Sequence, residues 1–341
     1  MAIKKSVFGS KAERNYYAKL ARTWGDKYNI WHNLPYLNVF DTKSIVDLDD
    51  YMSQVSLGVL GYQESIKSSS VKFLIISEKD KNILKKTSID YTVCNQQDEP
   101  ILCIEFDGMG EGFNTGLHYH VQRKYGVPEY RKPWMELKLK VAHGSYVPYI
   151  VVGSKQFNDL HEEAKLTTVD ALIGKVIAHQ EFDKMKDNLE RNPAQELGIS
   201  EEEYNSLSDS EHHELVQDWI LGREIEAELK HNPVQEKIAY LQYELSACNY
   251  HSEWEYSPAI EKNISHQERI KRVQEAVWTI VTTHVKSSAP TLEEERATVW
   301  LPNFKIPHVG MPEIIAEEIA TLVALLRMKA QKNSLQGNLS W

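Results

Sequence analysis

The stretch that decides the fold, residues 88–108, reads SIDYTVCNQQDEPILCIEFDG. Its two ends, SIDYTVCN and PILCIEFDG, are rich in β-branched and apolar residues, and the polar turn QQDE separates them. Two such segments joined by a short polar turn are typical of a β-hairpin. The stretch therefore predicts two antiparallel strands that lie side by side in a sheet.

The register of this hairpin brings acidic residues together. If the turn is centred between Gln97 and Asp98, the numbers of residues that face each other add up to 195. Asp90 then lies opposite Glu105, and their Cβ atoms are about 5 Å apart on one face of the sheet. Asp107 points to the same face, about 7 Å further along the strand. The sequence thus predicts three carboxylates at one end of a strand pair.

Such an arrangement indicates a metal site. Like charges that face each other destabilise a strand pair unless something compensates for them. A hard divalent cation would do so, because Mg²⁺ prefers carboxylate oxygens and keeps several of its waters. The alternative interpretation is that the acids are solvent-facing residues at a strand end. Their position within runs as apolar as ILCIEFDG favours the metal site.

The segments around the hairpin predict an α/β domain. Ser10 is a plausible N-cap of a first helix, with Glu13 at the capping-box spacing, and Gly25 is a natural end. The other predicted elements are a strand at 36–40, an apolar run of undecided type at 70–77, a long loop at 109–130, a helix at 134–144 and a strand at 147–153.

Beyond about residue 157 the sequence predicts a mainly helical region. Helical segments are expected at 166–189, 208–230, 265–285 and 311–331, with a possible lone strand at 297–302. The last helix has an apolar stripe wide enough for a partner helix. We expect it to fold back on its own domain, and a homodimer through the C-terminal helices is the alternative.

Charge and composition restrict the partners. The net charge is −10, whereas a dedicated duplex-DNA reader usually has a basic surplus. Nucleic-acid contacts are therefore expected to be local, at Arg123, Lys124, Arg131, Lys132 and Lys140. Aromatic residues are interleaved with these, which suits single-stranded or distorted DNA better than a specific duplex site; the alternative is that these aromatics form only a small core of the loop itself. No stretch approaches the roughly 18 apolar residues that span a bilayer, and the three cysteines show no pairing pattern, so a cytoplasmic protein is expected.

The motifs S-x-x-E-R at Ser10–Arg14, S-I-D-Y at Ser88–Tyr91 and I-E-F-D-G at Ile104–Gly108 are followed by a lysine-bearing helix and an apolar strand. This set resembles the PD-(D/E)XK (restriction-endonuclease-like) nuclease superfamily, and within it the branch related to very-short-patch-repair endonucleases. The resemblance covers about residues 10–175. It implies a restriction-endonuclease-like mixed sheet flanked by helices at 8–175, followed by a mainly helical domain at 176–335.

The resemblance also implies roles for individual residues. Asp90 and Glu105 would bind Mg²⁺ or Mn²⁺, with the carbonyl of Phe106 and with Asp107 as further ligands. Asp107 stands where many members have the catalytic lysine, and Lys138 on the following helix would replace it; the alternative is that Lys138 is a solvated lysine on the helix face. The resemblance gives lesser roles to Lys140 as a reserve for that lysine, to Glu13 through a water or a second metal, and to His118 and His120 as ligands or general acids.

The resulting hypothesis is a metal-dependent nuclease that hydrolyses phosphodiester bonds of DNA, in defence or repair. A non-catalytic module for binding nucleic acid or protein, which retains the nuclease fold, is the alternative. A third interpretation is a metal-dependent phosphoesterase that acts on small molecules. For His118 and His120, loop histidines without a partner are the alternative to a functional role.

Overall fold

The computed structural model of the protein describes residues 8, 10–40, 78–106, 131–144, 147–257, 265, 267–268, 278–302 and 312–338. Within these ranges the chain forms a four-stranded mixed sheet and a three-stranded antiparallel sheet, with helices packed around both. The fold is therefore mixed α/β, as the sequence predicts.

The four-stranded sheet is built by the N-terminal half of the described chain. Its elements are α1 (Lys11–Trp24), β1 (Asn29–Pro35), α2 (Tyr36–Val39), α3 (Glu78–Leu84), β2 (Ser88–Cys94), β3 (Pro100–Phe106), α4 (Arg131–Gly144) and β4 (Tyr149–Val152). The strands lie in the order β1-β2-β3-β4. The first three are antiparallel, and β4 runs parallel to β3.

The predicted hairpin is formed by β2 and β3. Tyr91 pairs with Ile104, so the numbers of facing residues do add up to 195. The register shifts after Val93, where a bulge precedes the turn. One step beyond the first pair, the same register brings Asp90 next to Glu105.

The first helix begins and ends where the sequence predicts. The Ser10 hydroxyl accepts a hydrogen bond from the Glu13 backbone N–H at 3.1 Å, and Gly25 caps the other end. Leu20 and Trp24 are buried against the sheet. The helix is therefore anchored at its C-terminal half, and it presents Glu13 from its first turn.

The strand predicted at 36–40 is wrong, because Tyr36–Val39 is the short helix α2. The strand lies just before it, at Asn29–Pro35, where exposed and half-buried residues alternate. Tyr36 is fully buried. The apolar character of this short segment fits a strand as well as a helix. The helix predicted at 134–144 begins earlier, at Arg131, and the run at 70–77 lies outside the described residues.

A series of helices follows the first sheet: α5 (Thr168–Arg191), α6 (Pro193–Leu197), α7 (Glu201–Ser206), α8 (Asp209–His231) and α9 (Pro233–Leu245). A short 3₁₀ turn at Ser154–Phe157 joins β4 to them. Thr167 and Asp170 form a capping box at the start of α5. This helix runs across the boundary between residues 175 and 176 where the sequence places the end of the first domain.

The described part of the C-terminal region is mainly helical, but it also contains a sheet that the sequence does not predict. A second sheet is formed there by β5 (Ala247–Ser257), β6 (Trp278–Ser287) and β7 (Glu295–Pro302), in that order, and α10 (Pro312–Asn338) packs against it. Strand β6 overlaps the end of the segment predicted as a helix at 265–285 and continues to Ser287, so that prediction is wrong for this part of the chain. Its buried residues alternate with less buried ones from Thr279 to Val285, which is the period of a strand. The strand predicted at 297–302 is paired, not alone.

The two sheets share one hydrophobic core. A single cluster of buried residues contains Val93 and Ile104 of the first sheet, Val281 of the second, and Leu325 of α10. The apolar stripe of α10 is buried within this cluster, as expected if the helix folds back on its own chain. A second, smaller cluster lies between the first sheet and α4 and contains Tyr149 and Leu139.

Candidate active site

The predicted site residues in β2, β3 and α4 come together at the face of the first sheet that α4 covers. Glu105 belongs to β3, an interior strand, and only 8% of its surface is exposed. Lys138 lies in the middle of α4 and is 7% exposed. A buried charge of either sign is strongly unfavourable unless it is paired. Burial of either charged side chain is therefore tolerated only because the two are paired with each other.

Lys138 forms a buried salt bridge with Glu105. Its Nζ lies 2.8 Å from Oε1 of the carboxylate and donates a second hydrogen bond to the Ser88 carbonyl, also at 2.8 Å. The carbonyl of Lys138 accepts a hydrogen bond from the buried Tyr36 hydroxyl at 2.5 Å. The lysine is thus fixed at both its backbone and its ammonium group.

The other oxygen of Glu105 is bound by a tyrosine. The Tyr149 hydroxyl, from β4, donates to Oε2 at 2.6 Å. Burial and the nearby Glu105 carboxylate raise the pKa of Tyr149 well above its ordinary value, so the hydroxyl keeps its proton. Each oxygen of Glu105 therefore has one strong donor.

Asp90 lies beside this pair. Its Oδ2 accepts a hydrogen bond from the backbone N–H of Phe106 at 2.7 Å. Burial, followed by the charge of Glu105, raises the pKa of Asp90 to about 7, although the Phe106 N–H and Lys138 act in the opposite direction. Among the described residues of β2, β3 and α4, two carboxylates, Asp90 and Glu105, thus lie beside one lysine, Lys138.

Glu13 reaches the same neighbourhood from α1. Its charge contributes to the raised pKa of Asp90, and its backbone carbonyl accepts a hydrogen bond from the Tyr91 hydroxyl at 2.8 Å. The Glu13 carboxylate lies 3.7 Å from Nε2 of His32 in β1. Burial lowers the pKa of His32, which favours its neutral form.

Several predicted residues lie outside the described part of the chain: Asp107, His118, His120, Arg123 and Lys124. Their proposed roles stay predictions. Arg131 and Lys132 belong to the first turn of α4. Lys140 is exposed and lies two residues after Lys138, so it is on a different side of the helix.

Sequence reasoning missed Tyr149, Tyr36 and His32. The first two are fully buried, and a tyrosine in an apolar segment is usually read as a core residue. The one available signal was the hydroxyl itself, because a buried tyrosine O–H needs a hydrogen-bond partner. His32 lies in a segment that we had not predicted as a strand.

The residues present fit a divalent ion held by two carboxylates. Among the described residues, no group of three or more His, Cys, Asp or Glu side chains could hold a metal ion. Mg²⁺, however, is usually bound through only one or two carboxylates and retains water ligands. Asp90 and Glu105 supply that number, and the pKa of Asp90 is raised first by burial and then by the charge of Glu105.

None of the helices formed by the described residues is long and apolar enough to cross a membrane. Comparison with known proteins gives no significant match to a family model, a curated protein or a solved structure. The function of the chain must therefore be inferred from the chemistry of this site.

Proposed function

We propose that the protein is a Mg²⁺-dependent nuclease that hydrolyses phosphodiester bonds in DNA at the site formed by Asp90, Glu105 and Lys138. The observation that carries the proposal is the buried contact of 2.8 Å between Lys138 Nζ and Glu105 Oε1. Many nucleases of the resembled superfamily place a lysine two residues after this acid, where the chain has Asp107. The ammonium group of Lys138 reaches the acid from α4 instead.

The order of elements also supports the proposal. A helix with Glu13 precedes three antiparallel strands that contain Asp90 and Glu105, and then come the helix with Lys138 and a parallel strand. This is the order of the motifs on which the resemblance to the PD-(D/E)XK superfamily rests. The proposed fold is accordingly restriction-endonuclease-like for the first sheet.

The chain's own residues would divide the chemistry between them. Asp90 and Glu105 would hold the ion, and Glu13 would assist through a bound water. A bound Mg²⁺ lowers the pKa of its water and offsets charge that develops on the phosphate. Lys138 would donate its hydrogen bonds to a phosphate oxygen and stabilise the same charge. No side-chain nucleophile is needed.

The substrate is proposed to be single-stranded or distorted DNA, because the net charge of −10 disfavours wide contact with a duplex. Basic residues on α4 and in the segment before it would provide local phosphate contacts. A direct comparison of single-stranded, duplex and flap DNA with RNA, in Mg²⁺ and in Mn²⁺, would identify the preferred substrate.

The decisive variants are Glu105→Gln and Lys138→Met. We expect each to lower the cleavage rate at least about 100-fold, as is common when a charged group that stabilises a transition state is removed. Lys184→Met is the matched control, because Lys184 is exposed and pairs only with its helical neighbour Glu181. It should cleave like the wild type.

Metal binding separates the roles of the two residues. Mn²⁺ affinity, measured by calorimetry, should fall in Glu105→Gln, because a ligand is lost. It should stay the same or rise in Lys138→Met, because a competing cation leaves the site. A wild-type protein that binds no Mn²⁺ and cuts none of the substrates would refute the nuclease. Binding of oligonucleotides without cleavage would favour the non-catalytic module instead.

A further inference from the structure

We propose that Tyr149 is a positioning residue of this site. It would hold the Glu105 carboxylate in its metal-binding orientation while Lys138 donates hydrogen bonds to the phosphate of the substrate. This inference rests on the proposed nuclease function. It assigns a task to a residue that no motif in the sequence indicates. Tyr149 itself would touch neither the metal nor the phosphate.

Glu105 and a bound phosphate would compete for the ammonium group of Lys138. The lysine donates to Glu105 and to the Ser88 carbonyl, both at 2.8 Å. A lysine that turns towards a phosphate oxygen cannot keep the same hydrogen bond to the carboxylate. Glu105 would then lose one of its two donors at the moment when its position matters most.

Tyr149 is placed to keep Glu105 fixed. In the parallel pairing of β3 with β4, Cys103 faces Tyr149 and Glu105 faces Val151. The tyrosine thus stands two pairs before the glutamate, on the neighbouring strand and on the same face of the sheet. Its hydroxyl reaches Oε2 at 2.6 Å, on the oxygen that Lys138 does not use.

The tyrosine ring is held rigidly. It is almost completely buried in the smaller core cluster, and its centroid lies 6.2 Å from the rings of both Tyr36 and Phe40. A buried ring has little freedom to move, so the donor stays aimed at the carboxylate. Groups of this kind orient metal ligands, and their loss typically lowers metal affinity or activity about 10- to 100-fold.

Tyr149→Phe tests the proposal, because it removes only the hydroxyl. Mn²⁺ affinity, measured by calorimetry without substrate, should fall about 10- to 100-fold, and the cleavage rate should fall as well. Tyr28→Phe is the control. It also loses one side-chain hydrogen bond, between the Tyr28 hydroxyl and Nδ1 of His231 at 3.2 Å, but away from the site. Its Mn²⁺ affinity should equal that of the wild type.

The same change in a Glu105→Gln background shows whether Tyr149 acts through Glu105. There, Tyr149→Phe should have little further effect on Mn²⁺ affinity, since the carboxylate it positions is already gone. If wild type and Tyr149→Phe bind Mn²⁺ equally and cut DNA equally, the positioning role is wrong and the nuclease stands. If the wild type neither binds Mn²⁺ nor cuts, the proposed function fails and the positioning role fails with it.

Discussion

The site raises the pKa of Asp90 well above that of an ordinary aspartate. An ordinary aspartate has a pKa of about 3.9, whereas burial and the charge of Glu105 raise the pKa of Asp90 to about 7. Between these pH values the folded, metal-free protein binds a proton that the unfolded chain does not. Stability is therefore highest at low pH for this group and decreases as the pH rises towards 7.

Asp90→Asn should remove this pH dependence. In EDTA, the free energy of unfolding of the wild type should decrease between pH 5 and pH 7.5 by a few kcal/mol, given about 1.4 kcal/mol for each pKa unit. The variant should show a smaller decrease over the same range. The measurement is urea unfolding of both proteins at several pH values. Parallel curves would show that Asp90 does not titrate as proposed.

At the scale of residues, the sequence indicates a functional side chain where a charged residue lies within an apolar segment. Acids inside apolar strands drew attention to Asp90 and Glu105, whereas Lys138 was indicated only by the resemblance to the nuclease superfamily. Tyr149 could not be found this way, because a buried tyrosine is ordinary in a core. Its role follows from the pairing of β3 with β4, which is a long-range contact.

Among the elements, α5 packs closely against the junction between α8 and α9, with Gly174 at the point of contact. A Cβ atom on Gly174 would lie 2.7 Å from the Oδ1 atom and 2.9 Å from the Cα atom of Asn232. Asn232 cannot move freely, because its Oδ1 accepts a hydrogen bond from Val234 N–H and caps α9. The glycine is thus required by the helix crossing, not by its own backbone conformation.

Gly174→Ala should destabilise the protein by about 1–3 kcal/mol, the usual range for overpacking. Gly222→Ala is the matched control, since a Cβ on Gly222, in α8, meets nothing within 4 Å. That variant should be neutral or more stable by about 0.5–1 kcal/mol. Thermal unfolding of the two variants beside the wild type provides the comparison. Equal destabilisation by both would contradict the proposed crossing.

The elements were predicted best where local signals agreed. The cap at Ser10 marked the start of a helix correctly, because a cap hydrogen bond is formed within four residues. Strand β6 was missed because apolar and β-branched residues in TIVTTHV fit a helix and a strand almost equally well. The segment is a strand because it pairs with β5 and β7. These contacts join residues that are far apart in the sequence, so no local sequence pattern indicates them.

For the molecule as a whole, a buried ionic network connects helices that are far apart in the chain. Lys175 of α5 lies 2.5 Å from Glu228 of α8 and 3.0 Å from Glu318 of α10. Asn232 donates to both carboxylates as well. Burial alone would lower the pKa of Lys175, but the two glutamates raise it, so the lysine stays charged.

Lys175→Met should leave two buried carboxylates without their cation. Removing one partner of a buried ion pair costs about 3–5 kcal/mol. Lys184→Met, which breaks only an exposed pair on the same helix, should cost about 0–1 kcal/mol. Urea unfolding at pH 7 measures both. A similar, small effect of the two variants would show that the network does not connect the helices energetically.

The shared hydrophobic core has a consequence for how such a chain could evolve. Helix α5 crosses the boundary that the sequence suggests, and residues from both sheets belong to one cluster. A recombination event near residue 175 would therefore divide a helix and expose apolar surface on both fragments. We infer that the two sheets are inherited together, and that insertions are tolerated in connecting loops rather than between the halves.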